Sequence, residues 1–393
     1  MRIALCIVIA LFPAPALRFL SAEPALSGYL DSSVSLGAGA GDSPGFIYGL
    51  EEYANIRLQA EIREEAVFYG SFNLIASSGT YARAGALLAS STALSSLGLN
   101  PSALAAGENY AAGMELERLY FKVSRGKAVF QGGLVRMAFG WGLAFGPMDF
   151  LNPRNPLLPD ARPRAVLGGD LAYYPAANAK IQAFSAAARD PFAASGAGTL
   201  AGLAGEYHGG RLSVQGLYAY ESPHNTVPQG VHRFGLSLKG DFFAGLAAEM
   251  LYTFDPRLKS GEGGLAASLG LDYFFLDGDL YILAEYLYSG DGSSTVSSPG
   301  FTGNHYLFVN GLYRLSDYTS LNLGCMAALG DLSFTPVLAL EHELFQGFTL
   351  SLNCQIPLDR SLSGGAAGEF GPLPPGAPAG RYFQSTVKTR LRF

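Results

Sequence analysis

Residues 53–63 read Tyr-Ala-Asn-Ile-Arg-Leu-Gln-Ala-Glu-Ile-Arg. Ala54, Ile56, Leu58, Ala60 and Ile62 share one parity; Tyr53, Asn55, Arg57, Gln59, Glu61 and Arg63 share the other. A period of two is the repeat of a β-strand, whose successive side chains point to opposite faces. One face can meet hydrocarbon and the other water, the division that the wall of a membrane pore requires. Arg57 and Glu61, on the polar parity, are therefore candidate lumen residues.

The same alternation recurs down the chain. Leu212, Val214, Gly216, Tyr218 and Tyr220 form one apolar set, followed by Phe234, Leu236 and Leu238, then by Leu246, Ala248, Met250, Tyr252 and Phe254. Further sets start at Leu265, Leu280, Leu307, Leu321 and Phe348 and run to Phe275, Tyr288, Leu315, Leu329 and Ile356. Aromatics gather toward the ends of several sets, where interfacial girdles sit. Short polar turns such as 208–211 and 276–279 contrast with long Gly/Ser/Pro stretches such as 291–303 and 361–380. Short turns on one side and long loops on the other suit a transmembrane antiparallel β-barrel. The segments predict an all-β fold of about 16 to 18 strands, with 18 the best fit because single-chain bacterial barrels favour even numbers. Pro336 falls inside one candidate strand and cannot donate a ladder hydrogen bond, so a bulge or break is expected there.

Composition agrees with this reading. Of 393 residues, 49% are hydrophobic and only 15% charged, with 50 Gly, 26 Phe, 21 Tyr and one Trp. A helical membrane protein would need uninterrupted apolar runs of about 18 residues, and none follows the first 22 positions. A soluble sandwich or solenoid would carry a richly charged outer side, whereas here the polar parity holds mostly Ser, Gln, Asn, Gly and scattered charges.

The first 22 residues have the form of an export signal: Arg2, an apolar stretch from Ile3 to Phe12, and the small pair Ser21-Ala22. Residues 23–393 are then expected to form one barrel domain. Loss of Arg2 and Arg18 leaves 24 basic against 32 acidic residues, a balance of −8, which argues against nucleic acid as a partner. Cys325 and Cys354 are the cysteines of the expected mature chain, too few for a disulfide scaffold. A strand containing Phe334, Leu338 and Leu340 is expected between them, which would keep them unpaired.

The last residues alternate as well. Phe383, Val387, Leu391 and Phe393 share one face, and Tyr382, Gln384, Thr386, Lys388, Arg390 and Arg392 the other. This resembles the closing strand of bacterial outer-membrane barrels, in which a terminal aromatic after alternating apolar residues is the signal read by the insertion machinery. The resemblance implies that Phe393, Leu391 and Val387 form an assembly signal and that the protein lies in the bacterial outer membrane. Gly140-Trp141-Gly142, with Asp149 and Asn152-Pro153, follows a strand-like stretch from Lys127 to Phe139. It is similar to a Trp-Gly-x-Gly stretch with a following Asp-x-x-Asn-Pro in outer-membrane channel families regarded as porins or solute exporters.

The physical reading of that stretch stands beside the resemblance. Pro147, Pro153, Pro156, Pro159 and Pro163 prevent a regular strand or helix, while Phe139, Trp141, Phe145 and Phe150 are too apolar for a solvated loop. The region near 139–167 is expected to fold into the lumen as a constriction, or else to pack among outer loops. Arg136, Arg154, Arg162 and Arg164 against Asp149 and Asp160 give it a local excess of positive charge. Wall carboxylates such as Glu61, Glu249 or Glu285 could neutralise those arginines. Residues 84–107 carry no charge and are rich in Ala, Ser and Leu, a pattern that suggests a short helix broken near Asn100-Pro101.

No Cys/His spacing suits zinc and no glycine-rich phosphate loop is present. The five histidines are dispersed, and Ser222-Pro223-His224 lacks an evident orienting carboxylate, so neither metal, cofactor nor catalytic role is expected. The expected function is passive diffusion of small hydrophilic solutes, with a weak preference for anions. An adhesin barrel without a conducting pore is the alternative, and a barrel-embedded hydrolase a more distant one.

Overall fold

A strand in hydrocarbon has no water to satisfy its N–H and C=O groups, so its edges must be paired all the way round. The computed structural model meets this requirement by closure. It describes residues 24–40, 46–63, 65–79, 105–107, 109–152, 156–157, 165–187, 198–223, 229–254, 264–290, 303–358 and 381–393.

The strands are β1 (Ala25–Ala40), β2 (Phe46–Arg63), β3 (Ala66–Gly79), β4 (Ala105–Gly107), β5 (Tyr110–Arg125), β6 (Ala128–Val135), β7 (Val166–Ala176), β8 (Ala179–Ala187), β9 (Thr199–Gly209) and β10 (Leu212–Glu221). They continue with β11 (Val231–Asp241), β12 (Gly245–Phe254), β13 (Leu265–Phe275), β14 (Leu280–Ser289), β15 (His305–Ser316), β16 (Thr319–Ala328), β17 (Ser333–Phe345), β18 (Phe348–Gln355) and β19 (Arg381–Arg392). Each wall strand pairs antiparallel with its neighbours in sequence, and β1 pairs with β19 from Tyr29↔Arg392 to Ala40↔Arg381. The short β4 only flanks the end of β5, which pairs directly with β3. Taking β4 out of the 19-stranded sheet leaves a closed wall of 18 strands.

The expected faces are the observed ones. Ile181, Leu203, Phe234, Leu269, Leu271 and Leu323 stand exposed on the outer surface, while Asn55, Ser71, Asn73, Gln215, Ser237, Glu249, Ser268 and Glu285 are buried on the inner one. Asn55 sits opposite Asn73, Gln215 opposite Ser237, and Ser237 opposite Glu249, so polar side chains meet across adjacent strands at the same height. The turns at 208–211 and 276–279 are tight connections, the second a single 3-10 turn at Leu276–Gly278. Gly210 has φ of 58° there and Gly278 φ of 99°, which only glycine adopts without strain.

Three expectations are corrected. Pro336 causes no bulge: the β16–β17 register runs unbroken through Cys325↔Pro336. Its effect falls on the other neighbour, where Ile356 donates to the Pro336 carbonyl but Pro336 has no N–H to return. β18 therefore ends at Gln355 rather than Ile356, and pairing resumes at the Phe334↔Leu358 bridge. The strand-like stretch from Lys127 stops at Val135, not Phe139; beyond it the parity of Val135, Met137 and Phe139 persists because all three enter one buried cluster. Of the proposed helix at 84–107, the described part, 105–107, is strand; the rest lies outside the described residues, as do the export signal and the 361–380 loop. Cys325 and Cys354 are both free, on β16 and β18 with β17 between them, as their spacing predicted.

Candidate functional site

After Val135 the chain leaves the wall and turns inward. Alternation of apolar and polar residues ceases at Gly140, and the run 140–148 has backbone N–H groups that no strand can satisfy. They are satisfied by carboxylates of the opposite wall. Trp141 and Gly142 donate to Glu249 Oε1 on β12, and Met148 donates to its Oε2 at 3.3 Å. Leu143 and Ala144 donate to Glu285 Oε2 on β14, at 2.9 and 2.5 Å. Gly140 donates to Gln215 Oε1 on β10, and Ser237 Oγ on β11 reaches both Trp141 N and Glu249 Oε1. Farther round, Gln355 on β18 donates to the Leu157 carbonyl at 2.7 Å.

Glycine is required at this contact. Gly140 has φ of +82°, and a Cβ there would lie 2.2 Å from Glu249 Oε1; a Cβ on Gly142 would lie 2.7 Å from Gly146 Cα. Side chains of the loop are buried in two clusters. Met137, Phe139 and Met148 pack with Phe184, Leu200, Leu217 and Leu251 of the wall. Ala144 and Phe145 pack with Leu283, Leu287, Tyr306, Phe308 and Met326. The inner face from β8 to β16 thus offers the loop two apolar clusters, with Glu249 and Glu285 beside them to take its amides.

The sequence-derived site residues divide accordingly. Asp149 and Asn152 are buried and staple the loop to itself: Asn152 Nδ2 donates to Asp149 Oδ1 at 3.1 Å and to the Met137 carbonyl. Trp141 is partly buried, its ring 5.8 Å from that of His208. Arg136 pairs with Glu117 at 2.5 Å, so its charge is balanced at the wall. Arg154, Asp160, Arg162 and Arg164 lie outside the described residues. Arg57 lies on the inner face of β2, where Nε donates to Asn55 Oδ1 at 2.6 Å and the guanidinium covers the Tyr29 ring at 5.4 Å. Glu61 lies farther along the same inner parity, opposite Val67 and exposed. Phe393, Leu391 and Val387 point outward, and Phe393 exchanges two backbone hydrogen bonds with Gly28.

Glu249 and Glu285 hold backbone amides, and of the arginines that the sequence suggested for them Arg136 goes to Glu117, while the other three lie outside the described residues. A buried carboxylate needs donors from whatever chain packs on it, and peptide N–H groups meet that need here. Gln215, Ser237 and Glu117 were missed altogether, since residues of the polar parity look alike whether they face water or a loop. Away from the loop, the inner wall of β19, β1, β2 and β3 carries Arg390, Asp31, Tyr29, Arg57, Asn55 and Asn73. Arg390 grips Asp31 through two bonds of 2.7 Å and stacks over Tyr29 at 4.6 Å. Among the described residues no three His, Cys, Asp or Glu side chains gather as a metal site.

No family model matches the chain, and no curated protein matches it. Solved structures do. OccAB4 of Acinetobacter baumannii is 10% identical, with 95% of this chain and 99% of that one aligned at a TM-score of 0.55. OccK7 (OpdD) of Pseudomonas aeruginosa, also 10% identical, aligns over 94% and 99% at 0.53. OccAB3 of A. baumannii gives 10%, 94%, 99% and 0.52. At this identity the likeness is one of fold, and it extends over nearly the whole length of both chains.

Proposed function

We propose that the protein is a porin-like channel of the bacterial outer membrane, through which small hydrophilic solutes diffuse passively. The observation that carries this reading is the loop segment 136–152, drawn into the barrel and fixed by Glu249 and Glu285 against one half of the wall. A barrel serving only as a surface scaffold has no need of a pinned internal loop; a channel needs one to set its cross-section. The apolar outer face and the polar inner face supply the lipid contact and the wet path. Barrel-insertion machinery, reading Phe393, Leu391 and Val387, is the expected partner in assembly.

The path runs beside the loop, along the wall that bears Arg57. On that wall Arg57 meets Asn55 and a tyrosine ring while Glu61 on the same strand is exposed, so the positive potential of the passage would come from Arg154, Arg162 and Arg164 added to Arg57. A weak preference for anions follows. Purified protein in a planar bilayer is expected to give discrete conductance steps and, in a KCl gradient, a reversal potential on the anion side. Replacing Arg154, Arg162 and Arg164 together by Ala should shift it toward cations. Absence of conductance would overturn the channel, and an unchanged potential would overturn the role of the arginines.

A further inference from the structure

One inward-facing rung crosses five strands in register: Lys180 on β8, Glu206 on β9, Gln215 on β10, Ser237 on β11 and Glu249 on β12. The loop runs along its far end, where Gly140 meets Gln215, Trp141 meets Ser237 and Glu249, and Gly142 meets Glu249. The near end, Lys180 and Glu206, makes no hydrogen bond to the loop among the described residues. Its bonds run along the wall: Lys180 Nζ lies 2.5 Å from Glu206 Oε1, and Gln215 Nε2 donates to the same oxygen at 2.6 Å.

Gln215 is the joint between the two ends. Its side chain is buried, and the two ends of its amide are nearly the same size, so packing alone does not tell the carbonyl from the amino group. Hydrogen bonding does. A peptide N–H only donates and a carboxylate only accepts, so Gly140 requires the Gln215 oxygen while Glu206 requires its nitrogen. Turned the other way, the amide would set donor against donor and acceptor against acceptor in a buried site. Glu206 thus locks the end that Gly140 uses, and Lys180 in turn holds Glu206. Gly140 is also where the chain, at φ of +82°, bends from the cluster around Phe139 onto the rung, and Trp141 is the next residue.

We propose that Glu206 is a positioning residue of the loop: acting through Gln215, and held by Lys180, it fixes where the loop bends and hence where Trp141 stands. Its effect on current rests on the reading of the loop as the element that sets the channel's cross-section. The placement of Trp141 does not require the pore to conduct.

The test exchanges the two side chains of the joint. In Gln215→Glu two carboxylates face each other, so the loop should loosen. In Glu206→Gln with Gln215→Glu the donating and accepting ends trade places, Gly140 N still meets an oxygen and the charge of the pair is kept, so the loop should return to its wild-type place. Trp141 is the one tryptophan of the chain, and its emission and quenching by acrylamide report the loop directly. The full mature chain in detergent, with heat-dependent gel mobility as the check of folding, is expected to show a red shift and several-fold stronger quenching in Gln215→Glu, and wild-type values in the double variant. A double variant as loose as Gln215→Glu overturns the proposal, as does a Gln215→Glu indistinguishable from wild type. If Gln215→Glu fails to fold, Lys180→Met decides: stronger quenching in the folded variant supports the proposal and wild-type quenching overturns it. Fluorescence that follows the exchange in a protein without conductance would remove the channel and leave this joint standing; a conducting protein whose fluorescence ignores the exchange would do the reverse.

Discussion

A carboxylate taken out of water needs donors on its oxygens, and at Glu249 those donors are the backbone N–H groups of Trp141, Gly142 and Met148. Glu249→Gln keeps the size of the side chain but exchanges an accepting oxygen for a donating amide that faces donors. The loop should loosen while the wall, held by its own ladder, remains. Each amide left unpaired in a buried site costs about 1–3 kcal/mol, enough to populate displaced loop conformations. Single-channel records of the variant should show added flicker or a larger step than wild type; identical records would deny the carboxylate its holding role. Gly140→Ala attacks the same contact from the other side, through a Cβ 2.2 Å from Glu249 Oε1 and a backbone at φ +82°. The left-handed backbone alone costs a non-glycine residue about 1–2 kcal/mol. Gly205→Ala, with nothing within 4 Å of the new Cβ, should leave conductance and melting unchanged. Equal behaviour of the two would contradict the fit described. Gly140, Trp141 and Gly142 stand out in the sequence and Glu249 is named there as a wall carboxylate facing the loop, but as a partner for arginines and not for these amides, because parity says which way Glu249 points and nothing about what arrives to meet it.

Strands were more legible than the loop because their signal is local. Each apolar set from Tyr53–Arg63 onward repeats every second residue, and lipid on one side and the inner face on the other leave that pattern intact over the whole wall. Where a long-range partner intervenes, the pattern misleads. The parity of Val135, Met137 and Phe139 continued past the end of β6 because a buried cluster, not a sheet, received it. Pro336 affected the neighbour on which its missing N–H faces and left the other ladder whole. β19 is a case in which position matters as much as pattern. It joins β18 to β1, and Phe393 makes two backbone bonds with Gly28 at the seam. Deleting Phe393 should reduce the assembled, heat-modifiable protein in the membrane several-fold while export of the chain continues. Undiminished assembly, measured by membrane fractionation and unheated gels, would remove the terminal aromatic from the assembly pathway.

Taken whole, the molecule is a closed hydrogen-bonded ring whose inner half is packed with its own loop. Closure leaves no strand edge from which unfolding can begin, so resistance to detergent and heat should be cooperative. Samples kept cold in dodecyl sulfate should run faster than boiled ones and retain a β-type circular dichroism spectrum. A helical spectrum would be incompatible with the wall described. The loop adds something that lipid cannot: an interior built from Phe139, Met148, Phe145, Tyr306 and Met326 in the manner of a soluble protein's core.

The seam between β1 and β19 gives the chain a property that linear order conceals. Tyr29 lies opposite Arg392 and Gly28 is bonded to Phe393, so the two ends of the described barrel are neighbours at the turn side of the wall. Geometrically the sequence is a circle cut at one place among several equivalent ones, since the short turns at 209–212, 241–245, 275–280, 316–319 and 345–348 lie on that same rim. A circularly permuted gene, with a brief Gly/Ser linker joining residue 393 to residue 24 and new ends opened at the exposed turn 242–244, should encode the same ring. Such a permutant is expected to show wild-type heat-modified mobility when refolded in detergent. Failure to do so would mean that the order in which strands are laid down, and not only their pairing, is written into this barrel.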